Sequence, residues 1–176
     1  MMNPSSKYII GIRFGLLIGA IYILLLFVRY HFSSSNPIFI VVFATISYLI
    51  ILLFFLVTGI ARKKELGGFG EIREIFQSIF IAILITELFY VLFNLIYFRF
   101  IDPAFWDHFR STTLAFMEKA GLTQDEIDEK MKSFKDAGQQ TSPLGLLKGY
   151  GTSVVVDSIF GLIFAALLRK KKPVII

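Results

Sequence analysis

Four long apolar runs constrain this chain more than any other feature of its sequence. Each is long enough for a helix that crosses a hydrocarbon core of about 30 Å, for which about 20 apolar residues suffice. The runs occupy 8–28, 38–60, 75–98 and 144–168. A soluble domain could not bury so much apolar surface, since 56% of the 176 residues are hydrophobic. We predict one all-α membrane domain, 1–176, folded as a four-helix bundle in the lipid bilayer.

The Lys and Arg residues predict the orientation of these spans. Under the positive-inside rule, cations close to the ends of spans collect on the cytoplasmic side. Segments 1–7, 61–74 and 169–176 hold nine cations, against seven in the longer total of 29–37 and 99–143. The nine are Lys7, Arg62, Lys63, Lys64, Arg73, Arg169, Lys170, Lys171 and Lys172. Both termini are therefore expected in the cytoplasm, with the segment between the third and fourth spans outside.

The segment 103–142 has the pattern of a helical hairpin. An amphipathic helix reaching about Lys119 is predicted by apolar residues on one face, Phe105, Phe109, Thr112 and Phe116. A second helix is predicted by a capping box and an apolar stripe: Thr123 with Glu126, then Ile127, Met131 and Phe134. The hairpin is expected to lie on or just above the membrane. A platform that binds a partner would need the same structure, so this alternative stays open.

Four charged residues fall inside the predicted spans: Arg13, Glu87, Lys148 and Asp157. Each needs a reason, because a charge at the centre of a span costs about 2.5 to 3.5 kcal/mol on insertion scales. Arg13 and Lys148 lie about one turn from a span end, from which a long side chain reaches the interface. The two carboxylates lie near mid-span and cannot. Glu87 shares one helix face with the polar residues Tyr90, Asn94 and Tyr97.

Two interpretations of the mid-span carboxylates are open. Glu87 and Asp157 at matching depth could share a proton and serve as a proton- or cation-coupling site, with Asn94 and Arg13 as further candidate members. Alternatively, they form a protonated, hydrogen-bonded pair that holds helices together, with Arg13 assisting. It is also open whether the two carboxylates meet at all.

Small residues predict where helices approach closely. Gly11, Gly15 and Gly19 form a glycine zipper in the first span. A four-residue step continues along the fourth span through Gly145, Gly149, Ser153, Asp157, Gly161 and Ala165. Such stripes let helix backbones pack in lipid, either within one bundle or across a dimer interface.

The sequence offers no motif for an enzyme, a cofactor or nucleic acid. It has no Cys, which excludes disulfides and thiol chemistry, and its two His residues have no metal-ligand spacing. Its net charge of +5 comes from cations clustered at span ends, not from a basic face interleaved with stacking aromatics. The glycine-rich stretch 67–70 lacks the Gly-Lys-Ser/Thr of a phosphate-binding loop and is expected to be an interfacial elbow.

Three stretches carry a family resemblance. They read YFRFIDP at 97–103, PLGLLKG at 143–149 and DSIFGLIFAALLRKKK at 157–172. Together they resemble the four-helix membrane proteins grouped as domain of unknown function 4199, found mainly in Bacteroidota. The resemblance implies a bacterial inner-membrane location and no known activity. It also implies a context near polyprenol-phosphate glycosyltransferases, and it carries over no functional residue.

These observations favour a non-enzymatic inner-membrane subunit that anchors or stabilises an envelope-associated partner. A polyprenol-phosphate glycosyltransferase is the candidate that the resemblance implies. The expected partners are the bilayer and another membrane or membrane-associated protein, or a second copy of the chain. The alternative is a small oligomeric transporter, coupled to ions or protons through buried Glu87 and Asp157.

Overall fold

The computed structural model describes residues 6–33, 36–140 and 142–171, and gives their side chains except at 6–7 and 133–140. Within these ranges the secondary structure is helical. The helices are α1 (Ser6–Ser33), α2 (Ile38–Glu65), α3 (Ile72–Ile96), α4 (Phe105–Lys119), α5 (Gln124–Gln140) and α6 (Pro143–Leu168). A π-helical turn, Tyr97–Ile101, extends α3.

Four of these helices confirm the predicted spans. α1, α2, α3 with its π-turn, and α6 are each long and apolar enough to cross a membrane. α3 lies at the centre of the bundle and contacts the other three, whereas α2 and α6 keep much of their surface outside it. The predicted all-α membrane bundle is therefore correct, and the helices extend beyond the apolar runs because their polar ends are helical too.

One end of the bundle gathers the positive charges, and we call it the basic end. It contains Arg62, Lys63, Lys64, Arg73, Arg169, Lys170 and Lys171. Gly67 and Gly68 turn the chain here with φ of 78° and 85°, a conformation that L side chains rarely adopt. The Gly70 amide donates to the Lys170 carbonyl at 2.9 Å, which fastens the α2–α3 loop to the end of α6. Lys7 and Lys172 of the predicted cluster lie outside the described side chains.

The interior of the bundle contains two clusters of buried residues. The first surrounds α3 towards the basic end and is apolar: Ile18, Ile51, Leu52, Phe55, Ile75, Ile79, Ala82, Ile83 and Ala165. The second lies at the opposite end and is largely aromatic: Leu26, Tyr30, Tyr97, Phe105 and Phe109. It joins the bundle to α4.

The helices α4 and α5 form the predicted hairpin, so we call this end the hairpin end. The buried face of α4 differs from the predicted one, because it contains Phe105, Phe109 and Thr113. Phe116 of the predicted stripe is 40% exposed. The stripe was wrong at its far end because only the first turns of α4 rest on the bundle.

The start of α5 is fixed by the predicted capping pair. The backbone amide of Thr123 donates to Glu126 Oε2 at 2.8 Å, and the Thr123 hydroxyl donates to the same oxygen at 2.9 Å. These two bonds, the backbone one first, lower the pKa of the exposed Glu126 carboxyl. Ile127 and Met131 are buried, whereas Phe134 lies outside the described side chains.

Candidate functional site

Glu87 and Asp157 meet at mid-depth in the bundle. Glu87 on α3 is 4% exposed and Asp157 on α6 is 2% exposed, so neither carboxyl group faces lipid. The two carboxyl groups lie close enough to interact directly. Two carboxyl groups can share a hydrogen bond only if one of them holds a proton. Carboxyl groups this close together can share a proton.

Two hydroxyl groups complete the surroundings of the pair. Tyr48 of α2 donates a hydrogen bond of 2.9 Å to Asp157 Oδ1. Ser153 of α6, one turn before Asp157, donates to the Glu87 carboxyl. Three helices thus converge on one polar site in an otherwise apolar layer. Satisfied polar groups of this kind hold helices together in a membrane.

A series of polar side chains leads from the carboxyl pair towards the hairpin end. On the face of α3 that carries Glu87, Asn94 is 1% exposed and Tyr97 is 6% exposed. Tyr30 of α1 donates a hydrogen bond to Asn94 Oδ1, and Asn94 Nδ2 donates to the Tyr90 carbonyl at 2.7 Å. The predicted polar face of α3 therefore points into the bundle, where Asn94 links α1 to α3.

Arg29 of α1 stands beside this series. Its guanidinium carbon lies 5.6 Å from the centre of the Tyr30 ring, and it interacts electrostatically with Tyr22 and Tyr90. Its Nε is buried and has no hydrogen-bond partner among the residues that the structure describes. Among the residues that the structure describes, no carboxylate lies within ion-pair distance of Arg29. A half-buried guanidinium whose Nε has no hydrogen-bond partner is a costly feature in a membrane protein.

The structure does not bring Arg13 to the carboxyl pair. Arg13 is exposed on the outer surface of α1, on the side away from the glycines that contact α3. Its assignment as a buried polar residue was therefore wrong, because it lies on the face of α1 opposite Gly11 and Gly15, which contact α3. Lys148 is also exposed, near the start of α6.

The glycines of α1 lie against α3. A Cβ atom added to Gly11 would lie 2.7 Å from the Ser78 carbonyl oxygen, and one added to Gly15 would lie 2.8 Å from Ile85 Cβ. At Gly19 the added atom would lie 2.7 Å from the Phe89 ring. The three glycines thus allow two helices of one chain to approach closely, so this stripe packs within the bundle.

The small-residue stripe on α6 packs against another helix over only part of its length. Gly161 contacts α3, since an added Cβ would lie 3.1 Å from Ile79 Cγ2. Gly145 is half-buried, and around Gly149 an added Cβ would meet nothing within 4 Å. Gly149 therefore does not pack within the bundle, because at the hairpin end this face of α6 turns away from the other described helices, and packing across a dimer interface stays a prediction for it.

Four side chains of the site were not singled out from the sequence: Tyr22, Arg29, Tyr30 and Tyr48. Tyr22 and Tyr48 fall within the apolar runs 8–28 and 38–60, whereas Arg29 and Tyr30 fall in 29–37, which is predicted as an outer connection. A tyrosine in a span is often an interfacial anchor, so residue type alone does not indicate a role in the interior. The helix face on which these residues lie indicates a role in the interior only once the packing partner of that helix is known.

The comparisons with known proteins give a family and no activity. The profile of the DUF4199 family, described as a protein of unknown function, matches residues 13–170. The chain belongs to the DUF4199 family. No curated protein and no solved structure matches the sequence. The resemblance to this family is thus confirmed.

The site can perform two kinds of chemistry. A closed carboxyl pair with hydroxyl partners can serve as a structural hydrogen-bonded joint between α2, α3 and α6. The same pair can also take up and release a proton, because two neighbouring carboxyl groups repel each other when both are ionised. Neither needs a reactive nucleophile, and the site as described contains carboxyl, hydroxyl and amide groups.

Proposed function

We propose that this DUF4199 protein is a non-enzymatic subunit of the bacterial inner membrane, which anchors or stabilises an envelope-associated partner through its hairpin. The observation that carries the proposal is the junction at the hairpin end. Phe105 and Phe109 are 1% and 4% exposed among the rings of Tyr30, Tyr97 and Phe98. A hairpin fixed by an aromatic cluster is a rigid support for another protein.

The exposed face of the hairpin is suited to a polar partner. The apolar residues of α5 that the structure describes, Ile127 and Met131, are already buried in contacts within the chain. Its exposed residues are mostly acidic, with Asp125, Glu126, Asp128 and Glu129 followed by Lys130 and Lys132. A partner with a basic surface would be complementary to it. A polyprenol-phosphate glycosyltransferase is the candidate that the family context suggests.

Charge reversal on α5 tests the anchoring proposal. We expect the triple variant Asp125→Lys, Asp128→Lys and Glu129→Lys to lose the partner that co-purifies with the tagged wild-type protein from native membranes. The matched control is Arg73→Glu, an exposed charge reversal at the basic end, which should retain the partner. Glu87→Gln should retain it too, because an amide can occupy a packed hydrogen-bonded site. Retention of the partner by the triple variant would refute docking through this face.

A second candidate function is proton- or ion-coupled transport. The observation that favours it is the burial of the neighbouring Glu87 and Asp157 carboxyl groups at mid-depth, since intramembrane carboxylates mark ion and proton pathways. Here Glu87→Gln and Asp157→Asn would abolish function at normal protein levels, whereas the α5 charge variant would stay active. Complementation of a deletion strain with these variants separates the two candidates.

We propose that the basic end faces the cytoplasm, with both termini there and the hairpin outside. The support is the collection of Arg62, Lys63, Lys64, Arg73, Arg169, Lys170 and Lys171 at one end of the bundle. We expect reporter fusions after Lys64 and Lys171 to report the cytoplasm, and a fusion at Gln124 to report the outside. The inverse pattern would contradict the orientation, while leaving the bundle unchanged.

A further inference from the structure

Of the arginines that the structure describes, Arg29 and Arg62 are the two that are not exposed. Arg62, at the basic end, is 5% exposed and forms an ion pair with Glu65 of its own helix. Arg29, near the hairpin end, is half-buried and forms no ion pair with any described carboxylate. The charge of Arg62 is thus balanced within the chain, whereas that of Arg29 is not balanced by the described residues.

The side chain of Arg29 lies on the side of α1 that faces the other helices. Arg29 comes two helical turns after Tyr22, so the two residues share one helix face. Tyr22 stacks on Tyr90 of α3 with ring centres 5.4 Å apart. The guanidinium carbon of Arg29 lies 5.6 Å from the centre of the Tyr30 ring, and the Tyr30 hydroxyl bonds Asn94 of α3. The guanidinium is therefore held beside the contact between α1 and α3.

The hydrogen-bond donors of this guanidinium indicate what kind of group would complete it. Its Nε is buried and has no acceptor within the described part of the chain. The residue as a whole is half-buried, so it is open to the surface of the bundle. A guanidinium has five N–H donors in a planar fork and no acceptor. Its best complement is an anion with two oxygen atoms side by side, such as a phosphate.

The depth of Arg29 favours a phosphate that belongs to a lipid. Arg29 lies about one helical turn before the end of α1 at Ser33. Because α1 is long and apolar enough to cross a membrane, this turn is expected near the level where hydrocarbon meets the headgroups. Lipid phosphates lie just beyond that level, within reach of a long side chain.

The surface next to Arg29 suits acyl chains. Phe32, one turn further along α1, is 45% exposed and stacks on Phe43 of α2 with ring centres 5.7 Å apart. Phe39 of α2 is 38% exposed and contacts the same Phe32 ring. A lipid would cover this apolar surface while its phosphate reaches the guanidinium, whereas an inorganic anion would leave it uncovered.

We propose that Arg29 forms a binding site for a phosphate group, and that a phospholipid of the leaflet at the hairpin end carries this group. The guanidinium holds two phosphate oxygens, the Tyr30 ring restricts its movement, and the acyl chains lie against Phe32 and Phe39. The proposal is independent of both candidate functions, because it concerns a lipid and neither a partner protein nor a transported solute.

Arg99 provides the matched control for this site. It has the same side chain at the same end of the bundle, in the π-helical turn that follows α3. Its side chain is exposed, and no aromatic ring holds its guanidinium among the residues that the structure describes. Arg99 can reach headgroups in general without fixing one of them.

Native mass spectrometry of the full chain in detergent micelles tests the site. The probes are dioleoylphosphatidylglycerol, dioleoylglycerol, which has the same acyl chains and no phosphate, and inorganic phosphate. We expect the wild-type chain to retain one molecule of the phosphatidylglycerol. Arg29→Gln should bind it at least about tenfold more weakly, because a charge-assisted bidentate contact is lost. Arg99→Gln should bind it like the wild type.

Three results would overturn the proposal. The first is equal retention of phosphatidylglycerol by Arg29→Gln and the wild type. The second is retention of dioleoylglycerol as strong as that of phosphatidylglycerol, which would show that the acyl chains alone bind. The third is displacement of the bound lipid by inorganic phosphate, which would show a site for a soluble anion.

Arg29→Lys keeps the experiment decisive if Arg29→Gln does not fold. It retains the positive charge but not the planar fork, so we expect weaker binding of phosphatidylglycerol than in the wild type. Circular dichroism and the emission of Trp106, the single tryptophan, verify that each variant keeps its helices and the hairpin junction. Binding by folded Arg29→Lys as tight as that of the wild type would refute the bidentate site.

Discussion

Gly15→Leu is expected to destabilise the bundle by at least about 3 kcal/mol, at or above the upper end of the range for overpacked cores. A Cβ at this position would lie 2.8 Å from Ile85 Cβ and 3.1 Å from Ala82 Cα. Both neighbours are held by the backbone of α3, so neither can move aside as a flexible side-chain end would. The helices α1 and α3 would have to separate, and van der Waals packing is the main attraction between helices in lipid.

Gly149→Leu is the matched control for this variant. It makes the same substitution in a membrane-spanning helix, at a site where an added Cβ meets nothing within 4 Å. We expect a change within about 0.5 kcal/mol, which is typical of surface substitutions. Thermal unfolding of both variants in the same detergent, followed by circular dichroism, measures the difference. Equal losses of stability would mean that the α1–α3 contact is not tight in the folded protein.

Phe105→Ala is expected to release the hairpin from the bundle, at a cost of about 3–5 kcal/mol. The ring is 1% exposed and lies 5.2 Å from the Tyr30 ring, 5.4 Å from the Phe98 ring and 5.2 Å from the Trp106 ring, between centres. Truncation would leave a cavity at the joint between α4 and the bundle. The spans themselves should remain folded, because their own contacts are untouched.

The control for the hairpin variant is Phe100→Ala. Phe100 is also a phenylalanine close to the joint, but its side chain is 74% exposed. Proteolysis within 103–142 and the emission of Trp106 report whether α4 stays in place. We expect faster cleavage and red-shifted emission for Phe105→Ala, and behaviour close to wild type for Phe100→Ala. A protected hairpin in Phe105→Ala would show that other contacts hold it.

The sequence predicted the spans well because membrane helices follow a simple physical rule. A helix satisfies its own backbone hydrogen bonds, and about 20 apolar residues make it soluble in lipid. The run 38–60 therefore begins where α2 begins, and the run 144–168 matches α6 to within one residue at both ends. The helix at 124–140 was predictable for a different reason, because Thr123 and Glu126 indicate its start by local hydrogen bonding alone.

Interior and exterior faces were harder to predict. In a soluble protein the apolar side of a helix faces inwards, but in lipid both sides of a span are apolar, so hydrophobicity no longer indicates the packed face. Gly15 and Gly149 show the consequence, since both belong to glycine stripes and only one contacts another described helix. Arg13 lies opposite the glycine stripe of α1, and only the packing of that stripe against α3 shows that this side faces outwards.

What the sequence determined by itself is the environment of the chain and the cost of its charges. It established four spans, a hairpin between the third and fourth, and two carboxylates at a depth where a long side chain could not reach water. Only the tertiary structure decided that Glu87 and Asp157 meet, that Tyr48 bonds Asp157, and that the Nε of Arg29 is buried beside Tyr30 with no hydrogen-bond partner among the described residues. The physical reason is that depth follows from position along one helix, whereas contact depends on how four helices rotate and pack.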